Sequence, residues 1–300
     1  MQKTKKTVYL CAILVFVSTR MKTVAIQGIK GSYHDIAARR YFEENYKEEI
    51  GIYPCSRFKD VISVVKRDPT IIGIMAIENT IAGSLLQNYE LIRESDLVVV
   101  GEQKLHISHC LAALPEDSLE TIIEVNSHPI ALMQCAEFLN TLPRIKIVEG
   151  EDTASSAKMI AECKWLGHAA ICSRHAAELY GLKVLEEGIE TNKRNFTRFI
   201  LLASRWLADE LVKDSEINKT SIVFTLPHTE GSLSKVLTIL SFYDINLTKI
   251  QSLPILGREW EYMFYVDLTF KNLLKYKQGF DAIRPLTKEF RILGEYLEKN

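Results

Sequence analysis

The side chains best suited to chemistry gather in Thr191-Asn192-Lys193-Arg194-Asn195-Phe196-Thr197-Arg198-Phe199, which passes straight into the apolar run Ile200-Leu201-Leu202-Ala203. An unbroken apolar run bounded by polar residues suits a strand buried on both faces. Such a strand would hold the Thr197 hydroxyl and the Arg198 guanidinium at its mouth. Arg offers a planar fork that takes a carboxylate through two parallel hydrogen bonds. A hydroxyl can donate to an oxygen that is gaining charge. Taken alone, Thr-Arg-Phe equally describes a solvated loop entering an ordinary strand.

Three other constellations need weighing. Glu78-Asn79-Thr80 follows the apolar run Ile71–Ile77, at the kind of strand end where open α/β sheets bind ligands; the same residues would also serve simply to turn the chain. Gly28-Ile29-Lys30-Gly31-Ser32-Tyr33 is a glycine-flanked turn entering a helix, a place where anions are held. It lacks the third glycine of a dinucleotide fingerprint, which argues against nucleotide binding. His106, His109 and Cys110 look superficially like metal ligands, but no second cluster of ligating residues lies near them. They read as satisfied or exposed histidines, and no metal site is expected.

The elements that must position these groups alternate. Strands are expected at Thr23–Gln27, Ile50–Pro54 and Ile71–Ile77, with helices between them and a further helix through Leu86, Tyr89 and Ile92. Leu97–Leu114 reads as an extended crossover between two lobes. A second unit follows: strand Ile122–Asn126, a helix from Pro129 through Leu139, strand Ile145–Val148, an Asp152/Thr153 cap with helix Ala154–Cys163, strand His168–Cys172, and a helix ended by Gly181. Pro129 suits a first helical turn and Gly181 a C-terminal cap. Strands alternating with helices predict parallel α/β sheets.

After Ala203 the character changes. Ala208–Lys219 is charged and weakly periodic, a linker. The rest reads as strand Thr220–Leu226, helix Ser232–Tyr243, strands Asn246–Leu253 and Tyr262–Thr269 joined by a turn near Gly257, helix Leu273–Phe290 and strand Ile292–Leu297. That order, βαββαβ, is ferredoxin-like, and such a module is expected to bind something or to dimerise.

With 300 residues, 47% hydrophobic and 25% charged, the chain has the composition of a soluble protein of two domains. A net charge of −1 offers no footprint for nucleic acid. Cys11, Cys55, Cys110, Cys135, Cys163 and Cys172 form no Cys-x-x-Cys pair, so neither a zinc site nor a disulfide framework is indicated, and a reducing, cytoplasmic setting is expected. Lys3, Lys5 and Lys6 precede the apolar run Val8–Val17, which is too short to span a bilayer. No small-x-small cleavage site follows. Met21 is read as the effective start and residues 1–20 as an upstream extension or disordered tail, with a signal sequence as the alternative.

Taken together, these segments resemble the prephenate dehydratase family with its C-terminal ACT regulatory domain, over essentially the whole chain from Met21. Asn195-Phe196-Thr197-Arg198-Phe199 is similar to the family's Asn-x-Thr-Arg-Phe. Ser127-His128-Pro129-Ile130-Ala131-Leu132-Met133-Gln134-Cys135 is similar to its Ser-His-Pro-x-Ala-Leu-x-Gln-Cys. Ile77-Glu78-Asn79-Thr80 with Gly83-Ser84 resembles its Ile-Glu-Asn-Ser…Gly-Ser, and Asp152-Thr153-Ala154 falls at its Thr-Ala segment. The resemblance implies an α/β fold: a two-lobed, periplasmic-binding-protein-like catalytic domain over residues 21–207, a linker at 208–218 and a ferredoxin-like ACT domain over 219–300. It implies conversion of prephenate to phenylpyruvate, water and carbon dioxide, with no cofactor or metal. It also implies L-phenylalanine as effector, and a homodimer or homotetramer. No nucleic acid, no membrane and no fused mutase is expected.

Under this resemblance Thr197 is assigned to the departing hydroxyl and Arg198 to a substrate carboxylate. Asn79, Ser84, Thr153 and Asn195 are candidates for orienting the substrate. Phe199 is placed beside it, more as packing than as a ligand. Effector residues would be Gly231, Ser232 and Leu233, with Asn246, Leu247, Gln251 and Ser252. Two departures stand out. Lys30 and His34 occupy the first loop where the family usually has other residues. Gln251-Ser252-Leu253-Pro254 replaces Glu-Ser-Arg-Pro, removing both charges, so a weaker or altered phenylalanine response is expected. Arogenate dehydratase is the near alternative, and a non-catalytic two-lobed sensor the distant one.

Overall fold

The apolar runs Val24-Ala25-Ile26 and Ile72–Ile77 lose essentially all contact with solvent, as central strands of a covered sheet must. In the computed structural model, which describes residues 21–298 except 143, 213–216, 256 and 260, they belong to a first lobe. It comprises β1 (Lys22–Gln27), α1 (Tyr33–Tyr46), β2 (Ile50–Cys55), α2 (Phe58–Arg67), β3 (Ile72–Asn79), β4 (Gly83–Ser84), α3 (Leu86–Ser95) and β5 (Val98–His106). The crossover expected at Leu97–Leu114 is two strands divided at Ile107–His109. The first, β5, stays in this lobe; the second opens the next.

That second lobe runs β6 (Cys110–Ala113), β7 (Glu124–Ser127), α4 (Pro129–Gln134), α5 (Ala136–Asn140), β8 (Lys146–Glu149), α6 (Thr153–Cys163), β9 (His168–Cys172), α7 (Arg174–Leu179) and β10 (Lys183–Glu187). The helix expected from Pro129 through Leu139 is broken at Cys135, whose φ of −105° and ψ of 15° leave the helical region. Its sheet has the order β10-β6-β9-β7-β8. The chain then returns to the first lobe as β11 (Phe196–Ala203), giving the order β2-β1-β3-β11-β5. β11 is antiparallel to both neighbours, and in the second sheet β6 is antiparallel to β10 and β9 while β7 is parallel to β8 and β9, so both sheets are mixed. Two strand crossings thus join the lobes.

Helix α8 (Arg205–Val212) runs into the segment read as linker, as far as Val212. Its Leu207 and Ala208 are buried in the first-lobe core, with Leu211 and Val212 packed beside them, a spacing that places all four on one helical face. The readings for residues 1–20 and for 213–216 of the linker lie outside the described residues.

The C-terminal module comprises β12 (Lys219–Thr225), α9 (Ser232–Phe242), β13 (Asn246–Pro254), β14 (Tyr262–Thr269), α10 (Leu273–Ile283) and β15 (Phe290–Tyr296). Its antiparallel sheet has the order β13-β14-β12-β15, the ferredoxin-like arrangement. The helix expected to reach Phe290 stops at Ile283 in a single 3₁₀ turn, Arg284–Leu286. Pro285 carries no backbone donor and disfavours helical backbone before it. One face of this sheet carries its two helices; the other packs on the first lobe. Val223, Tyr265, Leu293 and Tyr296 share a core with Ile77, Val99, Ile200 and Leu202. The approach is close at Gly294, where an added Cβ would lie 2.0 Å from the Val99 carbonyl oxygen. No described helix is long and apolar enough to cross a membrane.

Candidate active site

A cavity of about 990 Å³ lies between the lobes. β11 brings Thr197 and Phe199 to its wall, because side chains two apart on a strand share a face. Thr197 pairs in register with Asn79 at the end of β3. The Asn79 side-chain oxygen accepts from Ile81 N at 2.9 Å and Ala82 N at 2.8 Å. Its amide nitrogen therefore faces Asn195 Oδ1 at 2.7 Å and Thr197 Oγ1 at 3.0 Å. Asn195, fully buried, donates to Gln134 Oε1 at 3.0 Å. Gln134 is on α4, so the second lobe reaches the same cluster.

Thr153, at the start of α6, and Phe199 line the cavity as well. Phe199 is 1% exposed and meets the His34 ring edge-on, centroids 5.0 Å apart. His34 Nε2 accepts from Ala76 N at 3.3 Å, and burial pushes its ring down to about 3. It is a neutral wall residue at physiological pH. Lys30 is exposed, its carbonyl accepting from Tyr180 Oη at 2.7 Å. Asp152 caps α6 through Oδ1, while its buried Oδ2 has no hydrogen-bond partner; burial raises this carboxyl above the ordinary range. Glu90 and Glu151 add acidic side chains to the wall, Arg57 and Lys59 basic ones.

Arg198 is not in the cleft. The alternation that turns Thr197 inward turns Arg198 to the opposite face of the sheet, against the C-terminal module. Its guanidinium is 2.5 Å from Asp267 Oδ2, 2.8 Å from Glu102 Oε2 through Nε, and 3.3 Å from Tyr296 Oη. Glu102 also binds Lys219 at 2.8 Å. Burial pushes Glu102 up, but the attraction of Arg198 and Lys219 outweighs it and holds the carboxyl at about 2. Ser84 also lies away from the cavity wall: on β4 it pairs with Glu78, and its hydroxyl accepts from Lys249 of β13 at 3.0 Å. Lys249 also pairs with Glu78. Asn195 sits behind the wall, holding Asn79 and Gln134.

The residues read as effector contacts divide into two groups. Gly231, with φ of 73°, caps α9, and Ser232 and Leu233 begin it. Asn246 and Leu247 open β13 level with Thr269 and Leu268, whereas the α9 end of β12, Thr225, is level with Met263. Within one chain the two groups therefore lie at opposite ends of the sheet. Gln251 donates only locally, to the Ser252 carbonyl at 3.0 Å.

Neither Gln134, which the sequence offers only as part of the Ser-His-Pro segment, nor His109, which reads there as a satisfied or exposed histidine, is a site residue by sequence alone. Gln134 carried a signal, as a lone amide among apolar residues of a helix. His109 is 2% exposed, with Nε2 3.0 Å from Gln134 Oε1 and Nδ1 3.0 Å from Tyr33 Oη. His106 Nε2 meets the Lys193 carbonyl at 2.8 Å. Both rings are thus taken up by the protein's own groups.

A family model described as prephenate dehydratase matches residues 24–206. The bifunctional chorismate mutase/prephenate dehydratase of Escherichia coli (strain K12) is 35% identical over 280 residues, spanning 92% of this chain and 71% of that one. An Arabidopsis thaliana protein named arogenate dehydratase/prephenate dehydratase 2, chloroplastic, is 35% identical over 288 residues, spanning 91% and 72%. In fold, a prephenate dehydratase from Arthrobacter aurescens solved in complex with L-Phe superposes with a TM-score of 0.77 at 24% identity, covering 92% of this chain and 90% of that one. A two-lobed mixed α/β body with a threonine hydroxyl presented in its cleft, matched by that family model over most of its length, belongs to the prephenate dehydratase family.

Proposed function

We propose that this chain is a prephenate dehydratase in which Thr197 assists departure of the ring hydroxyl. The observation that carries the reading is the direction of the Asn79–Thr197 hydrogen bond. Asn79 donates to Thr197 Oγ1, which leaves the threonine's own hydrogen free to point into the cavity. Prephenate loses carbon dioxide and hydroxide together. The pair from the breaking C–C bond enters the ring, the pair of the C–O bond leaves with oxygen, and that oxygen takes a proton to become water. Aromatisation supplies the driving force, so the protein need only fix the geometry and donate to the departing oxygen. A threonine hydroxyl is too weak an acid to surrender its proton outright, and a hydrogen bond, with solvent as proton source, fits its chemistry.

With Arg198 engaged elsewhere, the grip on the substrate's carboxylates falls to cavity groups. Arg57 and Lys59 on the first lobe are the cationic side chains there. Phe199 and neutral His34 provide the apolar side against which the ring forms. The carboxylates Glu90, Glu151 and Asp152 in the same wall favour a second reading, arogenate, whose ammonium they would accept.

Regulation by L-phenylalanine through the C-terminal module is supported by two contacts. Asp267–Arg198 and Lys249–Glu78 tie that module to residues adjoining Thr197 and Asn79. Because Gly231–Leu233 and Asn246–Leu247 lie at opposite ends of one sheet, an effector site built from both needs a second copy of the chain. A homodimer or homotetramer meets that need, in the cytoplasm with the enzyme's soluble substrate. The test is phenylpyruvate formation from prephenate near neutral pH, with arogenate as competitor and with and without L-phenylalanine. Turnover of prephenate carries the reading; turnover of arogenate alone replaces it with the second.

A further inference from the structure

We propose that His109, in the crossover between the lobes, is a positioning residue that clasps Gln134 of the second lobe onto the Asn79–Asn195–Thr197 cluster of the first. The inference rests on the dehydratase reading above. Its basis is a chain of hydrogen bonds whose direction is set at one end by backbone. Ile81 and Ala82 can only donate, so the Asn79 oxygen faces them and its nitrogen faces Asn195 Oδ1. Asn195 must then turn its own nitrogen to Gln134 Oε1. Gln134, with its oxygen so engaged, turns its nitrogen back to Asn79 Oδ1 at 3.4 Å. The remaining neighbour of Gln134 Oε1 is His109 Nε2, which must carry a hydrogen to bond with it. Neutral or protonated, the ring can supply that donor.

His109 is itself held at its ring and at its backbone. Tyr33 Oη, on α1 of the first lobe, lies 3.0 Å from Nδ1 and 2.7 Å from the Ser108 carbonyl; its one hydrogen serves Nδ1 when the ring is neutral and the carbonyl when a protonated ring donates to the hydroxyl. The Tyr33 ring stands edge-on to the imidazole, centroids 5.5 Å apart. Buried Glu190, in the connection from β10 to β11, accepts from the His109 backbone N–H at 2.8 Å. His109 therefore sits where the chain passes between lobes and bonds to a side chain of each. Its loss would free Gln134 to rotate, and Asn79 and Asn195 would lose the contact that draws the second lobe down on Thr197. A displacement of this kind costs turnover more than ground-state affinity.

The experiment is steady-state kinetics on prephenate with full-length wild type, His109→Leu, His109→Gln, Gln134→Leu and the His109→Leu/Gln134→Leu double variant. Circular dichroism melting reports whether each is folded. His109→Leu is expected to lower kcat by about tenfold to a hundredfold with KM within about threefold of wild type. His109→Gln, whose amide nitrogen reaches the place of Nε2, is expected to recover most of the loss. The double variant is expected to be no slower than Gln134→Leu alone, since both remove one interaction. Folded His109→Leu with unchanged kcat overturns the proposal, as do losses that multiply in the double variant. Should His109→Leu fail to fold, a His109→Gln enzyme with normal kcat beside a slow Gln134→Leu supports it, and a Gln134→Leu enzyme of normal kcat overturns it. A wild type inactive on both prephenate and arogenate overturns the dehydratase reading itself, an outcome separate from all of these.

Discussion

Thr197 and Arg198 are neighbours in sequence and serve opposite sides of one sheet. On the cleft side, Thr197 and Phe199 face a cavity, in contact with neutral amides and a ring kept neutral by burial. On the other side, Arg198 is 8% exposed among Glu102, Asp267, Lys219 and Tyr296. The cleft face is built from hydrogen bonds whose direction matters; the far face is built from charges whose balance matters. The difference shows that a functional motif need not place all its residues at the reacting atoms. Thr197 presents its hydroxyl to the cavity, and the neighbouring arginine fastens the strand to the C-terminal module.

The sharpest way to break this comparison is Arg198→Ala. It leaves two buried carboxylates without their shared partner, and is expected to destabilise the chain by about 3–5 kcal/mol in urea unfolding. A substrate ligand would instead show as a raised KM with normal stability. Thr197→Ala is expected to do the reverse: kcat lower by about 10²–10³-fold, melting nearly unchanged, and Thr197→Ser recovering most of the rate.

Acid sharpens the far face. The Glu102 carboxyl is depressed from its usual 4.5 to about 2. It binds fewer protons folded than unfolded, so its contribution is full above about pH 4.5 and is lost as pH falls towards 2. Stability measured across that interval is expected to fall, and to fall less steeply in Glu102→Gln. An equal slope in both would detach the effect from this carboxylate. The smallest effect is expected at Lys249→Met. Its pair with Glu78 is partly exposed, so stability should change by about 1 kcal/mol or less, while any inhibition by L-phenylalanine should weaken. Unaltered inhibition would leave Arg198–Asp267 as the link between module and cleft.

Much of the architecture was legible because burial writes itself into pattern. The apolar runs 24–26, 71–77 and 200–203, the helix cap at Asp152, and the βαββαβ order follow from periodicity and capping chemistry. The misreadings have local causes. The helix from Leu273 was carried past Pro285, which stops it. Residues 208–212 of α8 read as linker because its charged face hides a four-residue apolar one. Arg198 was sent to the cleft on the strength of its chemistry, although the strand's period of two, already implied by the buried run, puts it opposite Thr197.

Residue type and spacing by themselves determined the strand, the hydroxyl at its mouth, the asparagine at the end of its partner strand and the family they resemble. Tertiary structure alone decided what each group meets. Glu102, Asp267 and Tyr296 are distant in sequence, and no spacing announces that they surround one guanidinium. Gln134 joins Asn79 and Asn195 beside Thr197, with His109 behind it, only because two lobes meet there. A hydrogen bond or ion pair between remote residues depends on how sheets stack and in what register, and that is settled by the burial of whole faces together.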